Sequence, residues 1–380
     1  MSKINVLDSS VYNLISAGEV VERPASVVKE LFENSVDAGA RSVVIEIIGG
    51  GKTKIKVSDD GKGISSDDIE KAFLPHATSK IAKAQDLSGI STLGFRGEAL
   101  PSIASVSMLT ITTKTADAES ATVLELSGGK VICRSEAATN VGTTVTVENL
   151  FFATPARFKF LKSQKGEENE ITELVKNLAL SNPTVSVRYT ADGRQIVKTD
   201  GKSLENAVFS VYNREITMNL RPIENTFEGF SVTGYISKPT YFKGNRGYQT
   251  TVINGRVVEN KTVTTAVERA YEGFLMKRAF PLYVLNLQMP VDFLDVNVHP
   301  AKTDVRFQDN NRVFSFIYHT VKKALNEHSE VKSVGDGLYE IAADGEIVDK
   351  LPKIQKEDDS VFSSRAPVYY KDTYAPRLTL

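Results

Sequence analysis

The sequence predicts an α+β fold: a two-layer α/β domain over residues 1–205, a second α/β domain over 206–332, and a tail over 333–380. Three observations predict it. A helix with an apolar face comes first, strand-like runs rich in β-branched residues continue from it to about residue 148, and a second set of strands and helices starts near residue 204.

The first element is PASVVKELFENSVDAGA. Pro24 suits a first helical turn and Gly39 suits the left-handed position past a helix end, so the spacing predicts a helix over about 25–38. Val27, Val28, Leu31, Phe32 and Ser35 share one face of it, while Glu30, Asn34 and Asp37, spaced by four and three, line the adjacent stripe. A carboxylate and an amide therefore project side by side. An isolated E-x-x-x-N is most often a solvated face, so the stripe gains meaning only in company with other segments of the chain.

VVIEI and KIKVS read as the strands of a hairpin around GGGK. Gly51-Lys52-Thr53 has the look of a phosphate loop, but Glu46 stands where that loop needs glycine and a strand comes where it needs a helix. Ser65 to Phe73 predicts a short capped helix, and His76 to Gly97 a long, polar, glycine-spaced loop of the kind that forms lids. LPSIASVS begins a helix; MLTITTKT, ATVLELSGGKVICRSE and GTTVTVENLF alternate as strands. Leu204 to Tyr212 opens the second unit, with strands in FSVTGYISKP, GYQTTVING and FPLYVLNLQM and helices near 260–274 and 312–328. Beyond about residue 332 no period is sustained, and six basic residues face nine acidic ones, the pattern of a linker or tail.

Composition narrows the chemistry. At 380 residues and 41% apolar the chain can bury two ordinary cores. It opens without a basic flank and apolar core, and no apolar run approaches the ~18 residues that span a bilayer, which predicts a cytoplasmic protein with no membrane contact. One cysteine, Cys133, cannot form an internal disulfide or a Cys-based zinc site, and the four histidines lack paired ligand spacing. A metal here would take oxygen ligands. The net charge of −1 is not that of a polycation, so any DNA contact must come from a local patch. One is present: from Lys238 to Arg278, Lys238, Lys243, Arg246, Arg256, Lys261, Arg269, Lys277 and Arg278 face only Glu259, Glu268 and Glu272.

Four further segments carry candidate chemistry. In SDDGKGIS a strand ends on Asp59, with Gly61 and Gly63 after it; glycine lets backbone approach a ligand, and the carboxylate can accept from an exocyclic amine. HATSK supplies Thr78, Ser79 and Lys80. In LGFRGEAL, Gly94, Phe95, Arg96 and Gly97 precede a helix beginning near Glu98, which offers N–H groups to an anion. NVGTTVTV is a glycine-led strand carrying Thr144 that can lie beside a base.

Each segment alone is ordinary, but E-x-x-x-N, DDGKGI, LGFRGEAL and GTTV in this order resemble the split-ATPase superfamily of gyrase, MutL proteins, large heat-shock chaperones and sensor histidine kinases (GHKL, or Bergerat, type). GEVVERPASVVKELFENSVDAGA, HATSK, GFRGEAL and DVNVHPAK are similar to the MutL mismatch-repair family in particular, over residues 1 to about 330. The resemblance implies a two-layer α/β sandwich ATPase domain and a second domain like domain 2 of ribosomal protein S5. It implies that Glu30 activates the hydrolytic water, that Asn34 binds the Mg²⁺ bridging the ATP phosphates, with Asp37 beside it, and that Asp59 holds the adenine amine. Gly61 and Gly63 line the base pocket and Thr144 sits near adenine. Residues 76–97 form the ATP lid, bringing Thr78, Ser79, Lys80, Gly94, Phe95, Arg96, Gly97 and Glu98 to the nucleotide, and Lys302 reaches the terminal phosphate from the second domain.

It also implies an ATP-induced homodimer that binds DNA without sequence preference through Arg256, Lys261, Arg269, Lys277 and Arg278. The further partners implied are a MutS-type mismatch sensor and a downstream nicking endonuclease or helicase, all acting in the cytoplasm at the nucleoid. A topoisomerase ATPase subunit shares the cleft, but GFRGEAL and HPAK argue against it; a chaperone shares the cleft without salt-dependent DNA affinity. The nicking motif D-Q-H-A-x-x-E does not occur in these residues.

Overall fold

The structure, a computed structural model, describes residues 20–79, 97–295, 305–327, 339–341 and 347–349. The chain divides into two units, residues 1–327 and 328–380. In the second, β16 (Tyr339–Ile341) and β17 (Ile347–Asp349) form an antiparallel hairpin; the rest of the expected tail lies outside the described residues.

Among the described residues the first unit holds an eight-stranded sheet, a five-stranded sheet and a two-stranded one. Helix α1 (Pro24–Asp37) leads to β1 (Ser42–Ile48), a tight Gly49–Gly51 turn and β2 (Lys54–Asp59), an antiparallel hairpin as expected. Helix α2 (Ala99–Ser105) leads into β3 (Met108–Lys114), β4 (Ala121–Ser127), β5 (Lys130–Ala137) and β6 (Gly142–Glu148). The short α3 (Pro155–Phe160) and the long α4 (Gln164–Ser181) then precede β7 (Ser186–Ala191) and β8 (Arg194–Lys198). These strands make one sheet in the order β5-β4-β3-β6-β2-β1-β7-β8, in which only β1 and β7 run parallel.

Period-2 alternation places Val43, Ile45, Ile47, Ile55 and Val57 on one sheet face, where α1 covers them with Val27, Val28, Leu31 and Phe32. Each such side chain stabilises by about 1.5–3 kcal/mol when fully buried. The five residues assigned to the apolar face of α1 are all buried, whereas Glu30, Asn34 and Asp37 are only half-buried.

Two features differ from expectation. The helix expected over Ser65 to Phe73 is instead a run of turns closed by a 3-10 turn at Lys71–Phe73. Within it the Ser65 hydroxyl and the Lys71 ammonium both donate to Asp68, and Ile69 alone is buried, so side chains compete with the helix ladder and one apolar anchor cannot offset them. The 18-residue α4 is the second. Its first turns, QKGEENE, are polar and contain Gly166, and the apolar period begins only at Ile171.

Helices α5 (Leu204–Val211) and α6 (Arg214–Met218) lead to the second sheet. Its strands are β9 (Leu220–Phe227), β10 (Phe230–Ser237), β11 (Gln249–Ile253), β12 (Arg256–Val258) and β13 (Tyr283–Gln288), in the order β12-β11-β13-β10-β9. Helices α7 (Lys261–Ala270) and α8 (Asn310–Asn326) pack on it around Phe230, Val263, Val267, Tyr271, Val313 and Ile317, and β14 (Leu294–Asp295) pairs with β15 (Arg306–Phe307) beside them. A small cluster of Leu180, Ala207, Val208 and Val284 joins α4 and α5 to this sheet. Among the described residues no helix is long and apolar enough to cross a membrane.

Candidate functional site

The site is built where the C-terminal ends of α1 and β2 meet the start of β6. β2 pairs with β6 so that Asp59 lies opposite Thr143, and both point to the face covered by α1. Three donors converge on Asp59. Oδ1 accepts from the Gly61 N–H at 2.9 Å and from the Thr143 N–H at 3.3 Å, and Oδ2 accepts from the Ser35 hydroxyl at 2.8 Å. Burial nevertheless pushes the Asp59 carboxyl above its ordinary value, against the lowering effect of these bonds. The arrangement fixes the carboxylate's orientation and leaves further acceptor capacity for a ligand N–H, since an ionised carboxylate has about four lone-pair sites.

Ser35 is the residue that sequence reasoning missed. Its spacing placed it with the apolar face of α1, and it is indeed 2% exposed. A hydroxyl at that place, one position after Asn34 and across from a strand-end carboxylate, was the available signal. Thr143 and Thr113 were missed likewise. The Thr113 hydroxyl oxygen accepts from the Ile64 N–H at 2.8 Å and lies 3.0 Å from that of Thr143, bracing the loop after Asp59 against β3 and β6.

Thr144 requires a correction. Alternation along β6 turns it to the opposite sheet face, where its hydroxyl donates to Ser58 Oγ at 3.0 Å, so Thr143 and not Thr144 stands beside Asp59. Glu30 and Asn34 lie one turn apart on α1, the helix that Ser35 ties to Asp59. Asp37 closes that helix, and Glu33, one turn earlier, pairs with Lys29 at 3.8 Å.

The two glycines after Asp59 serve backbone packing. Gly61 is buried against Ala38 at the end of α1. Gly63 has φ +72°, and a Cβ there would stand 2.2 Å from the Lys114 carbonyl, so only glycine fits.

The described ends of the expected lid come together. Gly97, at φ +67°, packs against the Ala77 backbone, and His76 Nδ1 lies 3.4 Å from Glu98 Oε1. Glu98 thus faces His76 at the base of the loop, Thr78 is half-buried and Ser79 exposed. Lys80, Gly94, Phe95, Arg96 and Lys302 lie outside the described residues, as does the N-terminal arm through residue 19.

The candidate DNA residues separate into two groups. Lys261, Arg269, Lys277 and Arg278 are exposed, Arg269 pairing with Glu272 at 3.1 Å. Nearby, Arg246 stacks on Phe280 and forms a two-pronged pair with Glu268. Arg256 is less accessible than these four. It starts β12 and is half-buried; burial lowers its pKa, and the charges of Glu33 and Asp37 oppose that shift.

Known proteins carry the same two parts in the same order. A model described as "Histidine kinase-, DNA gyrase B-, and HSP90-like ATPase" matches residues 22–145, and one described as "DNA mismatch repair protein, C-terminal domain" matches residues 208–326. The DNA mismatch repair protein MutL of Clostridium acetobutylicum is 42% identical over 374 residues, covering 96% of this chain and 60% of that protein. That of Clostridium tetani is 42% identical over 318 residues, covering 83% of this chain and 51% of that protein. The chain thus spans between half and 60% of the length of these relatives. Among solved structures, the Aquifex aeolicus MutL ATPase domain complexed with ADP is 30% identical with a TM-score of 0.56, covering 71% of this chain and 93% of that one. The N-terminal domain of a DNA repair protein aligns with a TM-score of 0.71 at 28% identity, covering 83% and 98%.

Proposed function

The chain belongs to the MutL family of DNA mismatch repair proteins, and we propose that it binds and hydrolyses ATP as the nucleotide-switched portion of such a protein. One observation carries this reading: three donors hold the Asp59 carboxylate rigidly beside a helix that presents Glu30 and Asn34 one turn apart. A fixed carboxylate selects a base bearing an exocyclic amine, and phosphoryl transfer asks mainly for positioning and charge neutralisation at the other end of the nucleotide.

In this reading Asp59 accepts from the adenine amine and Ser35 keeps it aimed. Glu30 accepts the proton of the attacking water. The Asn34 amide oxygen would hold a hard cation such as Mg²⁺, which would supply charge neutralisation at the phosphates. Lys302 brings a further cation to the terminal phosphate from the second domain. Lys80 and Arg96 do so from the lid, and Glu98 pairs with His76 to hold the lid's base.

We assign residues 1–205 to the ATPase domain, 206–332 to a transducer-like domain with a DNA groove, and 333–380 to a linker. The family relationship supports a homodimer that closes on ATP, binds DNA through Lys261, Arg269, Lys277 and Arg278, and links a MutS-type sensor to nicking and excision in the cytoplasm.

Measuring ATP turnover and nucleotide affinity in parallel tests the reading. Glu30→Ala is expected to lose hydrolysis and keep binding, whereas Asn34→Ala weakens Mg²⁺-dependent binding. Near-normal turnover in Glu30→Ala removes it as the base, and no detectable nucleotide binding by the unaltered chain overturns the function. Lys302→Ala is expected to lower kcat about 10- to 1000-fold, the scale of losing one transition-state donor, with affinity within a few-fold.

A further inference from the structure

Helix α4 is shared by the two sheets of the first unit. Ile171, Val175, Leu178 and Ala179 sit in the core under the first sheet, and Leu180 sits in the small cluster with Ala207, Val208 and Val284. α4 packs along α1, and Ile171 closes with Pro24 on the Gly49–Gly51 turn. The fit there is tight: a Cβ on Gly51 would stand 2.9 Å from Pro24 Cβ and 3.1 Å from Ile171 Cδ1. Toward the second sheet, Asn177 and Leu180, three residues apart, share one face of α4. Thr250 and Val284 stand opposite each other on the parallel pair β11 and β13, and period 2 puts both on the sheet face turned away from α7 and α8. Val284 packs in the cluster with Leu180, and the Thr250 hydroxyl, on a residue only 4% exposed, donates to Asn177 Oδ1 at 3.0 Å. A polar pair thus stands beside an apolar pair in the seam between α4 and the second sheet.

We propose that Thr250 and Asn177 are positioning residues, a lock that sets how the second sheet rests on α4 and so holds the second domain in fixed relation to Glu30 and Asn34 on α1. The apolar part of the seam cannot do this alone. Its four buried side chains attract without direction, so the sheet can tilt on them at little cost. A hydrogen bond weakens steeply as its angle departs from linear, and breaking it leaves a buried oxygen unpaired. Hydrolysis feels the difference through geometry, since a displacement of about 1 Å can cost about 100-fold in rate.

The proposal rests on the ATP-hydrolysis reading above, in which groups of both domains meet at the phosphates, and its test separates the two. Thr250→Val removes the hydroxyl and keeps the shape; it is expected to lower kcat about 5- to 50-fold with KM for ATP within about 3-fold. Thr250→Ser, which keeps the hydroxyl, should stay within about 3-fold of the unaltered kcat. Urea unfolding separates positioning from stability. Thr250→Val strands the Asn177 oxygen and should lower the folding equilibrium constant about 5-fold, whereas Thr250→Val with Asn177→Leu should restore it, because two apolar groups leave nothing unpaired. The lock requires that this restored variant still show the kcat loss. Recovery of kcat along with stability, unaltered kcat in Thr250→Val, or an equal loss in Thr250→Ser overturns it. Spin labels on Cys133 and on Glu224→Cys, exposed positions on the two sheets, add a readout free of ATP. The distribution of distances between them should broaden in the double apolar variant, and an unchanged distribution overturns the lock. If the unaltered chain fails to turn over ATP, the functional reading falls and the label distances still judge the lock.

Discussion

The Ser35 hydroxyl donates to Asp59 Oδ2 at 2.8 Å and so joins the helix bearing Glu30 and Asn34 to the strand end that faces the nucleotide base in the proposed site. In the proposed reading, the two ends of the nucleotide are thereby met by elements in fixed relation. The bond also keeps the Asp59 carboxyl lower than burial alone would set it.

Ser35→Ala should therefore act twice. Losing a buried hydrogen bond to a charged group is expected to cost about 1.5–3 kcal/mol of stability. Removing a bond that lowers the Asp59 pKa should also move the acid limb of nucleotide binding to higher pH. Denaturant unfolding and a pH series of nucleotide affinity check the two effects, and an unmoved acid limb would separate Ser35 from the site.

Asp59→Asn separates stability from function. The folded-state pKa of Asp59 is raised above 3.8, so the stability linked to its protonation is present below 3.8 and lost as pH rises through the raised value. At neutral pH the ionised group is a cost to the fold. Asparagine can still accept from Gly61 and Thr143 through its oxygen and donate to Ser35, but its NH₂ cannot receive an amine. Equal or higher Tm together with at least about 10-fold weaker ATP binding is expected, the loss arising from a donor left facing a donor. A fall in both would mean that Asp59 serves the fold alone.

How much of this was legible depends on which signal each element carries. The apolar face of α1 and the alternation of β1 to β4 and of β6 are written in single-residue periods and appear where the spacing put them, whereas β5 is a strand exposed along almost its whole length. α4 was not legible because its first two turns are polar, and the turns around Ser65 misled because capping chemistry was present without enough apolar anchors. In the site, Asp59 announced itself by glycines, whereas Ser35 hid among apolar neighbours because its partner is set by tertiary packing. Arg256 illustrates the same limit: a charge count along the chain cannot tell which cations burial withholds from the surface.

Thr144→Val tests the side of β6 that faces the ligand. Thr144 bonds Ser58 on the sheet face away from α1, so the substitution should leave nucleotide affinity within about 2-fold and cost about 1 kcal/mol or less of stability for one half-buried neutral bond. Thr143→Pro, which removes the N–H that reaches Asp59, should weaken binding strongly. A large affinity loss in Thr144→Val would place the base on the other face.

DNA binding should be tolerant of sequence and steeply dependent on salt, with a slope set by cations that remain outward. Arg246 is engaged by Glu268, Arg269 by Glu272 and Lys243 by Tyr241, and Arg256 is half-buried, which leaves the exposed Lys261, Lys277 and Arg278 and the half-exposed Lys238 for phosphates. With about four phosphate contacts, log affinity for duplex should fall against log salt with a slope of about −4. Lys277→Ala or Arg278→Ala should flatten the slope by about one each, as expected for a phosphate contact. Arg256→Met should leave the slope nearly unchanged, because half-burial withholds its guanidinium from phosphates. Titrations over a salt series decide between the two groups, and a flatter slope in Arg256→Met would return that residue to the DNA surface.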